Sequence, residues 1–214
     1  MSLFERFRGW LQDPIAGRVP VPPAPPAPPP AAEPDPPVLT DVVQAPSLSG
    51  PVRMDRLQAQ LVLHEGYRRI RYRDSEGHWT IGIGRNLDAK PFNARERLAI
   101  GARNLDSEGL SYAEVMMLFR RDVAEAIAEL DRHLPWWRGQ DEIRRRVLLD
   151  MMFNMGPGDR ERGLLSFVNT LAHIQAGRYD QAAAGMAASK WARQTKTRAD
   201  RLIEMMRTGK DWTK

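Results

Sequence analysis

The sequence predicts a mainly α domain of the α+β class, with one small β-hairpin near its start and a long segment before it that builds no core. Three observations carry this prediction. Fourteen of the 17 prolines fall in the first 51 residues. From Met54 onward apolar residues recur at helical spacing. The exception is a stretch around residues 68–84, where "RIRYRD" and "HWTIGIG" alternate about the turn "SEG".

Taken in order, residues 1–13 come first. Leu3, Phe4, Phe7, Trp10 and Leu11 share one face of a short helix, with Glu5, Arg6 and Arg8 elsewhere. A helix this short is marginal alone in water. Two readings stand side by side: a docking peptide or membrane-surface anchor over residues 3–11, and an unstructured end that happens to hold aromatics. Residues 14–53 read as linker. Within them "PVPPAPPAPPPAAEPDPP" at 20–37 holds 11 prolines in 18 residues, a polyproline II spacer roughly 55 Å long.

Residues 54–214 read as one domain, large enough to bury its own core. Leu57, Leu61 and Val62 predict a helix ending near Glu65-Gly66, and the hairpin follows. "SYAE", Ser111 to Glu114, is a capping box that opens a helix with Val115, Phe119, Val123, Ile127 and Leu130 inward; Pro135 stops it. The next runs from about Asp141 to "GPG" at 156–158, with Met151, Met152 and Met155 as core. Residues 165–176, 180–190 and 197–208 supply three more helices, the first and last closed by Gly177 and Gly209.

Charge divides unevenly along the chain. Of 32 Lys/Arg and 27 Asp/Glu, residues 1–53 hold four and five, which leaves 28 against 22, net +6, in residues 54–214. A basic domain suggests a polyanionic partner: nucleic acid, membrane surface or cell wall. There is no cysteine, which excludes a disulfide framework, thiol catalysis and cysteine zinc sites. The N-terminal residues lack the apolar run of a secretory signal, and no stretch approaches a transmembrane span. His64, His78, His133 and His173 show no metal-ligand spacing, so no metal is expected. "RRR" at 144–146 reads as a solvated face, one able to hold the protein near an anionic wall, and Trp136-Trp137 as an aromatic plug at a corner between helices in preference to a carbohydrate-stacking platform.

The residues that suggest chemistry lie together. Glu65 ends a helix, Asp74 follows nine residues later at the end of the first strand, and Thr80 lies six further on in the second. A helix end packed on a hairpin can bring all three to one cleft. Glycosidic cleavage needs such a set: an acid for the leaving oxygen and a second carboxylate across the sugar, in environments that keep one protonated and the other ionised. By spacing alone these remain ordinary surface carboxylates. "GIG" is no phosphate loop, since it lacks the rest of a nucleotide fingerprint.

The same segment resembles the active-site region of the T-even phage type of lysozyme, glycoside hydrolase family 24. That family's Glu-Gly, Tyr-x-Asp-x-x-Gly and Thr-Ile-Gly-x-Gly runs match Glu65-Gly66, "YRDSEG" at 72–77 and "TIGIG" at 80–84. The similarity continues through "DMMFNMG", "SFVNTL", "RYDQAA", "SKWARQT" and "RTGKDW", covering residues 54–214. It implies a two-lobed fold with a small sheet near its start and a helical C-terminal lobe. It also implies an endo-acting, bacteriolytic muramidase that cuts the β-1,4 bond between N-acetylmuramic acid and N-acetylglucosamine in peptidoglycan.

On this resemblance Glu65 is the general acid, Asp74 the general base of an inverting reaction and Thr80 the residue placing the water. Arg198 reaches back towards Glu65. Asn86, Phe153 and Thr170 line the saccharide cleft. No cofactor, no metal and no nucleic acid is implied; the partner is peptidoglycan and a monomer is the default. The sequence also departs from the phage prototype: Thr170 replaces Ser, Gly185 replaces Asn, Asn86 replaces Leu, Arg85 replaces His and His64 replaces Asp. The last two remove the prototype's charge partners, so its salt bridges are not expected there.

Two alternatives stay open: a catalytically silent wall-binding or scaffold domain, and a virion- or secretion-associated lysozyme docked through its N-terminal segment. The absence of a signal implies synthesis in a host cytoplasm. Access to the wall would follow holin-type release, as for a free endolysin, or delivery by a machine.

Overall fold

The computed structural model describes residues 52–74 and 76–212. The chain divides into two units, Met1–Pro37 and Val38–Lys214, and the described residues belong to the second. The short helix expected at 3–11 and the proline spacer lie outside them.

Eight α-helices and a three-stranded antiparallel sheet make up the described residues: α1 (Met54–Glu65), β1 (Arg68–Arg73), β2 (Trp79–Gly82), β3 (Arg85–Asn86), α2 (Ala94–Ile100), α3 (Tyr112–His133), α4 (Glu142–Met155), α5 (Val168–Gln175), α6 (Tyr179–Ala188), α7 (Lys190–Thr195) and α8 (Thr197–Thr208). The sheet order is β1-β2-β3. Tyr72 faces Thr80 across the hairpin and Thr80 faces Asn86 across the next pair. This mainly α architecture with one small sheet is the fold class the sequence predicts.

Most boundaries follow from caps. Ser111 and Glu114 form the expected capping box, and Asp141 accepts the Arg144 N–H to open α4. Asn93 and Glu96 form a second capping box that opens α2, an element the sequence reading passed over. The helix expected over 180–190 is α6, and a further short helix, α7, follows it where none was expected. Ser189 adopts extended φ/ψ and its hydroxyl accepts the Ala192 N–H, so it ends α6 and caps α7.

Long α3 joins the sheet to the helical lobe. Its Val115 lies against Gly82 of β2, and its Phe119 meets Phe153 of α4 with ring centroids 6.2 Å apart. Leu57, Leu61, Ile81, Leu118, Leu148, Met151 and Met206 belong to one continuous core. Trp137 is fully buried, with Nε1 donating to Asp131, so it plugs the corner after α3 as expected.

The "RRR" expectation fails. Arg144, Arg145 and Arg146 are all buried. Arg144 donates to the Met206 and Arg207 carbonyls at the end of α8, and its guanidinium stacks 3.4 Å over the Tyr179 ring. Arg146 donates to Gln60 and pairs with Glu142 and Asp211. A buried guanidinium is tolerable only with such partners. The triplet therefore clamps α1, α4 and α8 together and presents no free cationic face.

Candidate active site

Glu65 is the last residue of α1. Gly66, with φ +79°, donates to the Val62 carbonyl and turns the chain away, leaving the Glu65 carboxyl at the helix end. One flank of that carboxyl rests on Gly84, between β2 and β3. A β-carbon at Gly84 would lie 2.7 Å from Oε2 and 2.8 Å from Cδ of Glu65. Gly84 also has φ +67°, so both conformation and close approach demand glycine here. On the other flank Arg198 Nη1 donates to Glu65 Oε1 at 2.6 Å, as the sequence reading expected of Arg198.

Asp74 stands at the mouth of the hairpin. Its Oδ1 accepts the backbone N–H groups of Glu76 and His78, both at 2.9 Å, and its Oδ2 accepts the Thr80 hydroxyl at 3.2 Å. The His78 N–H does most to hold this carboxyl below the usual carboxylate range. Partial desolvation opposes it, while the Glu76 N–H and the Thr80 hydroxyl act in the same direction. Asp74 is thus kept ionised by a turn built from its own neighbours.

Tyr72 of β1 lies in the field of both carboxylates. Burial pushes its hydroxyl up; Arg68, 4.9 Å from its ring, opposes this, and the charges of Glu65 and Asp74 add to it. Both carboxylates therefore act on one side chain of the hairpin.

Arg198 does more than touch Glu65. Its Nε and Nη2 lie 2.8 and 2.7 Å from Asp150 Oδ1. Asp150 Oδ2 accepts from Gln60 Nε2 at 2.7 Å and lies 2.8 Å from His64 Nδ1. Asp150 is fully buried. Burial alone would push its carboxyl up, but His64, Arg198 and Gln60 together outweigh that and hold it below the usual range. An ionised Asp150 makes His64 Nδ1 the donor. A run of buried groups therefore extends from Glu65 through Arg198 and Asp150 to His64, the residue just before Glu65 on α1.

Asp150, Gln60 and Gly84 are missing from the sequence prediction. Asp150 carried a legible signal: a lone carboxylate within "VLLDMM" has to find a buried cation. Arg85 and His64, from which the prototype's pairs were not expected, make pairs of their own. Arg85 lies buried between Glu96 and Asp122, at 2.9 Å from each, and His64 pairs with Asp150.

The expected cleft residues fall into two cavities. Asn86 and Phe153 line one of about 610 Å³ together with Gly84, Lys90, Asn154 and Pro157. Thr170 lines another, about 580 Å³, together with Met155, Phe167, Gly185 and Trp191. Glu65, Asp74 and Thr80 line neither of them; Gly84, against which the Glu65 carboxyl rests, lines the first, and the C-terminal end of α4 contributes to both. Thr170 and Gly185 are coupled, since a β-carbon at Gly185 would collide with the Thr170 hydroxyl. The paired departures, Thr for Ser and Gly for Asn, therefore fit one another sterically.

Among the described residues no helix is long and apolar enough to cross a membrane, and no group of His, Cys, Asp and Glu gathers as for a metal ion. The arrangement offers one carboxyl beside an arginine at a helix end and a second fixed as an anion on a hairpin, next to an open cavity. Such a pair can donate a proton on one side of a substrate and accept one on the other.

A family model described as "Phage lysozyme" matches residues 62–207, a span that takes in Glu65, Asp74, Thr80 and Arg198. "Probable T4-type lysozyme 1" of Dictyostelium discoideum is 27% identical over 165 residues, 72% of this chain and 94% of that protein. "Probable T4-type lysozyme 2" of the same organism is 28% identical over equal shares. The "Pre-baseplate central spike protein Gp5" of Enterobacteria phage T4 is 30% identical over 155 residues, 68% of this chain but 26% of that protein.

Proposed function

The chain belongs to the phage lysozyme family, and we propose that it is a muramidase that hydrolyses the β-1,4 bond between N-acetylmuramic acid and N-acetylglucosamine in bacterial peptidoglycan. The observation that carries this reading is the contrast between the carboxylates: Asp74 fixed as an anion by three donors, Glu65 set apart at a helix end against Gly84 and Arg198.

In this reading Glu65 donates its proton to the glycosidic oxygen as the C–O bond breaks. Asp74 takes a proton from a water that attacks the anomeric carbon from the opposite face, and Thr80 helps to place that water. The configuration inverts, which calls for carboxyls roughly 6.5–9.5 Å apart. Solvent then returns the proton from Asp74 to Glu65. Gly84, Asn86 and Phe153 form one wall of the glycan cleft and Thr170 belongs to its extension.

The test is product analysis on purified peptidoglycan with wild type and Glu65→Gln. Wild type should release fragments with N-acetylmuramic acid at the reducing end, and the variant should lose at least 10²-fold of that rate. Early-time NMR of the anomeric proton should show the inverted product. A folded wild type that releases nothing from several walls would leave the silent wall-binding domain as the better reading.

A delivered, docked enzyme is favoured over a free endolysin by one comparison. The spike protein that this chain resembles is itself named as a baseplate component, and the first 61 residues lie outside the family match. Deleting residues 1–53 should leave hydrolysis intact and abolish association with the delivering particle; a free endolysin would show no difference in either.

A further inference from the structure

A third cavity, about 200 Å³, lies among α1, α4, α8 and the segment after α8. Arg56 and His64 of α1, Arg146 of α4, Arg201 of α8, and Asp211 and Trp212 line it. It shares His64 with the run of buried groups that ends on Glu65, yet contains none of the cleft residues.

Charge and hydrogen bonding in this cavity do not close. Three arginines and a histidine face a single lining carboxylate, Asp211. Arg146 is committed to Gln60, Glu142 and Asp211. Arg201 lies flat over the Trp212 ring at 4.0 Å, and Arg56 makes no ion pair among the described residues. Three nitrogen atoms on this lining, His64 Nε2, Arg146 Nε and Arg201 Nε, are buried without a hydrogen bond; Arg146 Nε has a carboxylate, Glu142, 2.9 Å away, and the other two have no partner. The His64 side chain is only 2% exposed.

Buried polar atoms in native proteins are nearly always satisfied. Arg201 Nε can only donate. His64 gives its Nδ1 proton to Asp150, so its Nε2 faces the cavity as an acceptor in the neutral ring and as a second donor in the protonated one. One fixed donor beside a ring nitrogen of either polarity, in a cationic setting, suits an anion with more than one oxygen that can also carry a proton. The volume exceeds that of a few waters at about 30 Å³ each.

We infer that this cavity is a binding site for a small oxyanion, a carboxylate or phosphate group held between His64 Nε2 and Arg201 Nε with Arg56 at its rim. Asp211 repels such an ion, and its engagement by Arg146 lessens that repulsion. Besides Asp150, the charged and polar groups around His64 are Gln60 and Glu65 on α1, Arg146 on α4, and Arg198 and Arg201 on α8.

The test uses the full chain with ¹⁵N-labelled histidine, titrated at constant pH and ionic strength with sodium phosphate, sodium acetate and sodium chloride. The expected result is a saturable shift of the His64 Nε2 resonance with phosphate or acetate and none with chloride. Whichever oxyanion saturates at the lower concentration identifies the geometry taken. Arg201→Gln should weaken binding at least tenfold. Arg56→Gln, at an exposed position, should weaken it several-fold and serves where the first variant does not fold. Shifts that fail to saturate, that chloride reproduces, or that persist unchanged in both variants overturn the site.

Discussion

Arg198 and Asp150 form a buried ion pair, with Nε and Nη2 of the arginine 2.8 and 2.7 Å from one carboxylate oxygen. The remaining amine of the same guanidinium, Nη1, holds Glu65. An arginine facing Glu65 alone would be free to swing; anchored to α4 through Asp150, it offers Glu65 a donor in a fixed place. The cost of burying these charges is met only while the set is complete.

Asp150→Asn should therefore destabilise the protein by about 3–5 kcal/mol at neutral pH, because it leaves a buried guanidinium short of one anion. The sign with pH follows from the depressed carboxyl of folded Asp150. Its stabilising contribution is present above the unfolded value of about 3.9 and is lost as pH falls through the lower folded value. Chemical denaturation of both proteins between pH 7 and pH 2.5 checks this: the gap between them should narrow below about pH 4. A constant gap would mean that Asp150 acts through shape and not through charge.

The Thr80 hydroxyl is one of three donors on Asp74, and the one that a conservative substitution can remove. In Thr80→Val the acid limb of the kcat/KM profile should move to higher pH, since the carboxylate loses a partner and protonates more readily. Thr80→Ser should keep the limb where it is. The rate at the optimum should fall by at least about tenfold in the valine variant if the hydroxyl also places the water. Matching profiles for valine and serine would remove Thr80 from the site.

Gly84 and Gly66 separate strain from contact. Both have positive φ, but a β-carbon at Gly66 meets nothing within 4 Å, whereas at Gly84 it meets the Glu65 carboxyl. Gly66→Ala should cost about 1–3 kcal/mol of stability from backbone strain alone and leave kcat nearly unchanged. Gly84→Ala should carry a similar backbone cost and also lower kcat by at least about tenfold, because Glu65 must move. Thermal melts alongside muropeptide assays make the comparison; equal effects of the two substitutions on kcat would mean that Gly84 matters only as a turn.

These contrasts mark how far the sequence could be read. Helix ends with side-chain caps, such as Ser111 and Asp141, are local signals and were legible, as was the hairpin turn with its Asp74 and Thr80. The Asn93–Glu96 box carries the same kind of signal in "NARE". Arg144, Arg145 and Arg146 misled for a physical reason. Three adjacent cations read as solvated because the groups that let them sit in the core lie far away in sequence: Gln60 is 86 residues from Arg146, and the Met206 carbonyl is 62 from Arg144. Asp150 is legible as a carboxylate in need of a buried cation, but which cation is not, since Arg198 lies 48 residues later. Pairing across a core is what a single sequence conceals.

The Thr170–Gly185 contact gives the sharpest test of packing at the cleft. Gly185 lies inside α6, where replacing glycine by alanine ordinarily gains roughly 0.5–1 kcal/mol. Here the new β-carbon would press on the Thr170 hydroxyl, whose residue is buried, so Gly185→Ala should be neutral or destabilising by about 1 kcal/mol. In a Thr170→Ala background that obstacle is gone and the same substitution should stabilise by its ordinary amount. A double-mutant cycle by chemical denaturation should then give an interaction of about 1 kcal/mol or more, with a change of sign between backgrounds. Additive effects would mean that α5 and α6 can part slightly without cost, and that the threonine and glycine at these positions are independent.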